Sequence, residues 1–133
     1  MGFGLGASIA IGGAGIAVAL AGATPAAAAT DADQVRAVLE GMNTSYNRAD
    51  YDKFSTHLCS EMREAAGFEA GWYASRKSDG PTRITVNSVV VVGDGAVANV
   101  RFEAADHTET LDVDFVRENA SWKACRYHGG QTV

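Results

Sequence analysis

The first 29 residues of the 133-residue chain contain no charged side chain, which sets them apart from everything that follows. The segment from Phe3 to Ala21 consists almost entirely of Ala, Gly, Ile, Val and Leu, and Ala27-Ala28-Ala29 offers a small-residue cleavage site. An apolar run followed by small residues is the pattern of a secretory signal peptide. We therefore expect residues 1–29 to be a signal peptide and the protein to be exported.

This segment also lacks the Lys or Arg that usually precedes the apolar run of a signal peptide. The run is nearly long enough to span a bilayer, so retention as a membrane anchor is the alternative. Its ending in small residues, without a basic flank, favours cleavage. Residues 30–133 carry all the charged side chains, with a formal net charge of −5, and are long enough for one domain.

Basic residues are few and scattered. The chain has 11 Lys and Arg against 16 Asp and Glu, and only Arg76-Lys77 are adjacent. Nucleic-acid-binding proteins carry a basic patch or stripe, often with interleaved aromatic residues, and none is present here. We therefore expect no nucleic-acid partner, and contact with a membrane only through residues 1–29 if they are retained.

Residues that could bind a metal through sulfur or imidazole are scarce and widely spaced. Cys59 and Cys125 are the two cysteines, and they form neither a CxxC motif nor a zinc-ligand spacing. The three histidines, His57, His107 and His128, share no ligand spacing either. We therefore expect no metal and no cofactor. An even cysteine count in an exported domain favours a disulfide, whereas a cytosolic protein would keep two buried thiols.

Catalytic signatures are also absent. No Ser, His and Asp arrangement is evident, and Gly93-Asp94-Gly95 is not a phosphate loop because a strand, not a helix, follows it. Asp79, Glu103 and Asp106 do not form a carboxylate pair that can be placed on a predicted element. His107 is predicted to be a surface residue of a turn.

The C-terminal half, from Thr82 to His128, has the pattern of four β-strands joined by tight turns. The turns are predicted at Gly93-Asp94-Gly95, Asp106-His107 and Glu118-Asn119-Ala120, which interrupt runs rich in Val and Phe. The sequence does not show which residues of the first strand point inward, because the run from Ile84 to Val92 is almost uniformly apolar.

Strands two and three alternate between apolar and polar residues. Inward positions are Ala98, Val100, Phe102, Leu111, Val113 and Phe115. A two-residue loop at Asp106-His107 would pair Phe102 with Leu111 and Arg101 with Asp112. Asp112 and Asp114 then lie on the solvated face.

The last strand poses a conflict between two residues. A disulfide to Cys59 in the helical segment needs Cys125 on the inner face of the sheet. Strict alternation then places Trp122 on the outer face, although Trp122 is the residue expected to be buried. Either Trp122 lies outside near Arg117, or a β-bulge reconciles the two positions.

The segment from Asp31 to Lys77 is predicted to be helical. The stripe of the first helix is Val35, Val38, Leu39, Met42 and Tyr46, and that of the second is Tyr51, Phe54, Leu58 and Met62. Gly41 within the first helix is interpreted as a close approach to the sheet. One or two short helices between Met62 and Lys77 would carry Phe68, Trp72 and Tyr73 inward. Helices followed by a meander indicate an α+β fold, with the N-terminal helices packed on one face of an antiparallel sheet.

Three short motifs occur in an order that resembles the nuclear transport factor 2-like superfamily, also called cystatin-like or SnoaL-like. They are Tyr46-Asn47-Arg48-Ala49-Asp50-Tyr51 after the first helix, the hairpin Gly93-Asp94-Gly95-Ala96, and Ser121-Trp122-Lys123 opening the last strand. The resemblance covers residues 31–128 and implies one cone-like domain over residues 30–133, with a curved sheet closing over a pocket. Family sheets usually have more than four strands, which leaves room for a short strand within Gly67 to Arg83.

The resemblance also has implications for the cysteines and for assembly. Exported members from high-G+C bacteria often carry one helix cysteine and one last-strand cysteine after such a Trp-Lys, and Cys59 and Cys125 look like that pair. Relatives often dimerise through the convex sheet face. On that face Val97 and Val116 are predicted cross-strand neighbours, with Val90 or Val92 beside them, which implies a weak homodimer.

Candidate ligand-binding residues are aromatic side chains with polar tips, which can line the mouth of a pocket. They are Tyr46, Tyr51, Trp72, Tyr73 and Tyr127, together with His128 at the end of the last strand. The alternative for these residues is ordinary packing in the core and at its rim. No catalytic residue is assigned.

The predicted function is an exported, non-catalytic binding or interaction module with a small hydrophobic pocket. It would bind a small apolar ligand or a protein partner. Catalysis is not expected, because the predicted inward side chains cannot move a proton and tyrosine alone rarely supplies a base. Two alternatives stay open. One is an isomerase or dehydratase-type enzyme of the same fold, which an inward Asp or Glu touching a cavity would favour. The other is a membrane-tethered accessory subunit, if residues 1–29 are retained.

Overall fold

The computed structural model describes residues 29–128, so the predicted signal peptide or anchor lies outside the described residues except for Ala29. The elements are α1 (Asp31–Asn47), α2 (Tyr51–Ser55), α3 (Ser60–Arg63), α4 (Phe68–Asp79), β1 (Arg83–Val92), β2 (Gly95–Glu103), β3 (Thr108–Glu118) and β4 (Ser121–His128). Within this part of the chain no helix is both long enough and apolar enough to cross a membrane.

Helix α1 packs one face against the sheet, as its apolar spacing predicts, and that face consists of Val35, Leu39 and Met42. Gly41 has a different role from the predicted one. A Cβ at this position would lie 2.7 Å from Nε2 of His57, so the glycine makes room for His57 and not for the sheet. The N-terminus of α2 is capped by Asp50, whose carboxylate accepts a hydrogen bond of 3.1 Å from the backbone N–H of Lys53.

Helix α4 fills most of the segment in which a further strand was expected. It begins after Gly67, whose φ of 78° lies in the left-handed region, and it ends before Gly80 at φ 69°. Trp72 is its buried residue, whereas Tyr73 is exposed, contrary to the inward position predicted for it.

The four strands form one antiparallel sheet in the order β1-β2-β3-β4. The predicted faces of β2 and β3 are confirmed, with Ala98, Val100, Val113 and Phe115 buried. The α+β fold class, with helices on one face of a curved sheet, is therefore as predicted.

The predicted register between β2 and β3 is wrong by two residues. Val100 lies opposite Leu111, and Asp112 lies opposite Asn99. The tight turn is centred on Ala105-Asp106, since the N–H of Ala104 donates to the carbonyl of His107 at 2.8 Å. An even shift leaves every side chain on its predicted face.

A β-bulge at Asn87 decides the face of β1. Val86 pairs with Val100, but Ser88 pairs with Asn99, so one extra residue stands in β1. The inward set is therefore Ile84, Val86, Val89 and Val91, which pack against the core.

A second bulge, at Cys125, resolves the conflict in β4. Phe115 pairs with Ala124, but Asp114 pairs with Arg126. Trp122, only 3% exposed, thus lies inside while Cys125 forms the disulfide to Cys59, with 5.1 Å between their Cα atoms.

The disulfide also fixes the loop between α2 and α3 to the sheet edge. The N–H of Cys59 donates to the carbonyl of Ala124 at 2.9 Å, and the N–H of Ala124 donates to the carbonyl of His57 at 2.8 Å. This short parallel bridge between Leu58 and Ala124 covers backbone groups of β4 that an open edge would expose.

Candidate ligand-binding cavity

A cavity of about 560 Å³ lies between the helices and the inner face of the sheet. Its apolar lining is Leu39, Met42, Phe54, Ala65, Ala66, Phe68, Trp72, Ile84, Phe102, Ala104, Leu111 and Val113. Its size falls within the range of cavities that hold small molecules, roughly 300–1,000 Å³. The cavity therefore has the size and the lining of a small-molecule site.

Trp72 is the centre of the aromatic wall of this cavity. Its ring centroid lies 5.4 Å from that of Tyr46, 5.2 Å from those of Tyr51 and Phe54, and 5.1 Å from that of Tyr73. The contacts with Tyr46, Tyr51 and Tyr73 are edge-to-face, a favoured geometry for aromatic pairs. The surrounding rings therefore hold the indole in one orientation.

The indole N–H of Trp72 has no hydrogen-bond partner among the described residues, although its nitrogen is buried. The residue is only 6% exposed, so the protein also shields it from solvent. A buried tryptophan usually finds a partner for this group, and leaving a buried donor unpaired costs about 1–3 kcal/mol. The N–H of Trp72 is therefore a buried donor without a partner among the described residues.

One side of the cavity is polar, and its groups follow one another toward the mouth. The Tyr46 hydroxyl and Ser75 Oγ are 2.8 Å apart, and Ser75 Oγ donates to Asp79 Oδ2 at 3.4 Å. The other carboxylate oxygen, Oδ1 of Asp79, lies 3.9 Å from Nε2 of His107. Tyr46, Ser75, Asp79 and His107 therefore form a polar row along the cavity, and Glu109 also lines it.

His107 is held at the mouth by Asp106, whose Oδ1 lies 2.8 Å from Nδ1 of the ring. This hydrogen bond, supported by the charges of Asp79 and Glu109, raises the pKa of His107 above its usual value. The same hydrogen bond lowers the pKa of Asp106. The imidazole of His107 therefore keeps its proton to a higher pH than an unperturbed histidine does.

Arg76, which lies on α4 three residues before Asp79, does not offset the acidic groups of the cavity. The guanidinium of Arg76 donates hydrogen bonds to the backbone carbonyls of Tyr46, at 2.8 Å, and Asn47, at 3.0 Å, at the C-terminus of α1. No Lys or Arg stands among the described residues that line the cavity. The formal charges of the lining are therefore those of Asp79, Glu109 and protonated His107.

The six candidate binding residues separate into two groups. Tyr46, Trp72 and Tyr127 line the cavity. Tyr51 and Tyr73 pack against Trp72 and are not part of the lining. His128 is not part of it either, since its Nε2 lies 2.7 Å from Oδ2 of Asp114, a residue of the outer sheet face.

The bulge at Cys125 explains the positions of Tyr127 and His128. Strict alternation from Ala124 would point His128 inward and Tyr127 outward. The extra residue reverses this, because Tyr127 pairs with the inward Val113 and His128 with the outward Asp112. A role for His128 at the rim of the cavity loses its structural basis, and ligand binding by Tyr127 stays a prediction.

Sequence reasoning missed the Asp, Glu and His residues of the cavity, which are Asp79, His107 and Glu109. Glu109 could have been found, because it shares the inward parity of Leu111 and Val113. Asp79 ends a helix and His107 lies in a turn, so no periodicity brings them together. Among residues 29–128 no cluster of three His, Cys, Asp or Glu side chains could hold a metal ion.

Comparison with known proteins identifies the fold. No family model matches the chain, and no curated protein matches it. Three solved structures that resemble it are a putative calcium/calmodulin-dependent protein kinase type II association domain from Thiobacillus denitrificans and NTF-2 like proteins of unknown function from Silicibacter pomeroyi and Shewanella oneidensis.

Their TM-scores are 0.59, 0.57 and 0.55, with sequence identities of 13%, 16% and 14%, in the same order. The alignments cover 70%, 71% and 72% of this chain and 90%, 90% and 95% of the other chains. The protein is therefore an α+β protein whose helices cover a curved antiparallel sheet. That sheet and its helices have the nuclear transport factor 2-like fold, also called cystatin-like.

Proposed function

We propose that this domain binds a small, largely apolar molecule in the cavity between its helices and its sheet. The observation that carries the proposal is the cavity itself, about 560 Å³ in volume and lined mostly by apolar and aromatic side chains with Trp72 among them. A ligand that presents apolar atoms to these walls would be stabilised by the apolar surface that both partners remove from water.

Export belongs to the same proposal. The charge-free segment of residues 1–29 favours a signal peptide, and the Cys59–Cys125 disulfide suits an oxidising compartment. The protein would thus act outside the cytoplasm, either released or, if the segment is retained, anchored to the membrane as an accessory subunit. A homodimer formed through the outer sheet face is part of the same proposal.

A ligand screen tests the binding proposal. Small aromatic and aliphatic compounds are screened by thermal shift, and each hit is titrated by calorimetry. Trp72→Phe keeps an aromatic ring but removes part of the apolar surface of the cavity wall, so we expect it to weaken binding roughly tenfold. Tyr46→Phe removes the hydroxyl that bonds Ser75 and tests the polar side of the cavity.

Trp122→Phe is the matched control, because Trp122 is buried outside the cavity and its N–H is bonded to Asp31 at 3.2 Å. Binding that weakens in Trp72→Phe but not in Trp122→Phe supports the proposal. Hits whose affinity is the same in all variants would place the binding elsewhere.

An enzyme of the isomerase or dehydratase type is a second candidate, and the acids of the cavity favour it. Asp79, Glu109 and His107 line the cavity, with His107 Nε2 3.9 Å from Asp79 Oδ1, and carboxylate and imidazole groups can act as general acids and bases. Turnover of a bound compound, abolished by His107→Gln and by Asp79→Asn, would establish catalysis. Bound compounds that stay chemically unchanged would exclude it for those compounds.

A further inference from the structure

We infer that α4 (Phe68–Asp79) is a lid over the cavity, which turns about Gly67 and Gly80 and lifts Trp72 out of the aromatic wall. This inference goes beyond the proposed function, because it concerns the way into the cavity and not the identity of the ligand. The motion can be measured on the protein alone. Its test is therefore independent of whether a ligand is found.

Helix α4 forms one wall of the cavity but contributes little to the core. The residues of α4 that line the cavity are Phe68, Gly71, Trp72, Ser75 and Asp79. Trp72 is the one buried residue of this helix, whereas α1 buries four residues. A segment with few buried apolar contacts opens more readily than the core of a domain. A single buried side chain therefore holds most of α4 in place.

Glycines at both ends of α4 provide the hinges. Gly67 has φ 78° and ψ −2°, and Gly80 has φ 69° and ψ −160°. A Cβ added at either position would meet no atom within 4 Å. The backbone conformation, not close packing, therefore calls for glycine at both positions. Residues at the ends of an element that absorb changes in φ and ψ are the usual hinges of a lid.

A few polar contacts hold α4 in the closed position. The guanidinium of Arg76 donates to the carbonyls of Tyr46 and Asn47, at 2.8 and 3.0 Å. The Tyr46 hydroxyl and Ser75 Oγ are 2.8 Å apart at an exposed position. Water can satisfy the same groups when α4 lifts, so breaking these bonds costs much less than breaking bonds in an apolar interior.

Opening would separate Trp72 from the rings of Tyr46, Tyr51 and Phe54, whose centroids now lie 5.4, 5.2 and 5.2 Å from that of the indole. The cavity would widen on the side of α4, which gives an apolar molecule a path past the indole. The indole N–H of Trp72 reports this motion. Its nitrogen is buried in the closed position, so the group exchanges with water only when α4 lifts.

Hydrogen exchange of the two indole N–H groups, followed by NMR, tests the lid. Arg76→Gln removes the charged donor that holds α4 closed, so exchange at Trp72 should become roughly tenfold faster. Exchange at Trp122, whose N–H is bonded to Asp31 at 3.2 Å, should not change. Lys77→Gln is the matched control, because it removes the same charge from an exposed position next to Arg76. It should leave both rates unchanged.

A pair of glycine variants tests the hinge. Gly67→Ala strains the closed backbone at a positive φ, so exchange at Trp72 should again become roughly tenfold faster. Gly71→Ala makes the same change inside the helix, where the added Cβ also meets no atom within 4 Å. This control should not speed exchange, because alanine favours a helix more than glycine does.

The backbone amides of Tyr73 to Lys77 should stay protected throughout, because the helix moves as a unit. Equal rates at Trp72 in Arg76→Gln and Lys77→Gln would overturn the lid. A rise that is equal for Trp72 and Trp122 would also overturn it, since it reports a loss of overall stability. Exchange of the α4 amides together with the indole would do the same, because it reports unfolding of the helix.

Discussion

Asp79 and His107 meet at the mouth of the cavity, with 3.9 Å between Oδ1 of Asp79 and Nε2 of His107. The first residue ends α4, and the second lies in the turn between β2 and β3. The polar end of the cavity is therefore assembled by tertiary packing from two chain segments whose local patterns do not indicate it.

His107 should titrate above its usual pKa because Asp106 accepts its Nδ1–H, with Asp79 and Glu109 adding favourable charge. Asp106→Asn should lower the His107 pKa, followed by NMR of the ring protons. Folding raises the pKa of this histidine, so its protonated form stabilises the folded protein. That stabilisation is fully present at pH values below the unfolded-state pKa of about 6.5, and it is lost as the pH rises through the higher pKa of the folded state. An unchanged pKa in Asp106→Asn would contradict this assignment.

The start of α1 should make the domain sensitive to acid. Asp31 accepts hydrogen bonds from Arg117 at 2.9 Å and Trp122 at 3.2 Å, which lower its pKa. This contribution is present above the unfolded pKa and is lost as pH falls through the lower folded value. Asp31→Asn should therefore reduce the melting temperature at pH 6 and change it little at pH 2. Equal losses at both pH values would show that the carboxylate charge is not responsible.

Breaking the Cys59–Cys125 disulfide should lower the free energy of unfolding by about 4 kcal/mol, since the bond joins positions 66 residues apart. Urea unfolding of the oxidised protein, compared with the Cys59→Ala and Cys125→Ala double variant, measures this effect. Free thiols in the purified oxidised protein, detected by mass spectrometry, would refute the bond itself.

The outer sheet face should support weak self-association. The exposed fractions of Val90, Val92 and Val97 are 60%, 77% and 41%. Val90 pairs directly with Val97. The predicted pairing of Val97 with Val116 is wrong, because Val97 lies opposite Asp114. Val90→Lys should abolish a dimer detected by sedimentation equilibrium, because it places a charge in the centre of the apolar patch. A wild-type protein that stays monomeric at high concentration would end this proposal.

The sequence predicted the sheet face well but not the details of the site. Alternation from Ala98 to Phe102 and from Leu111 to Phe115 placed the core correctly, because a half-buried strand repeats every two residues. An error in the turn position left these faces intact. The bulge at Cys125 was one of two ways to reconcile Trp122 with Cys125, but the sequence did not choose between them. The inward position of Tyr127 and the outward position of His128 depend on that choice and were therefore not predicted.

The most direct test of ligand binding is NMR of the two tryptophan side chains in protein labelled with ¹⁵N. The indole N–H of Trp72 has no hydrogen-bond partner among the described residues, whereas that of Trp122 is bonded to Asp31. The two indole N–H signals therefore respond independently. A ligand from the screen should shift the Trp72 Nε1–H signal, because Trp72 lines the cavity, and the shift should saturate with the calorimetric affinity while the Trp122 signal stays in place. A saturating ligand that leaves the Trp72 signal unmoved would contradict the proposed binding mode.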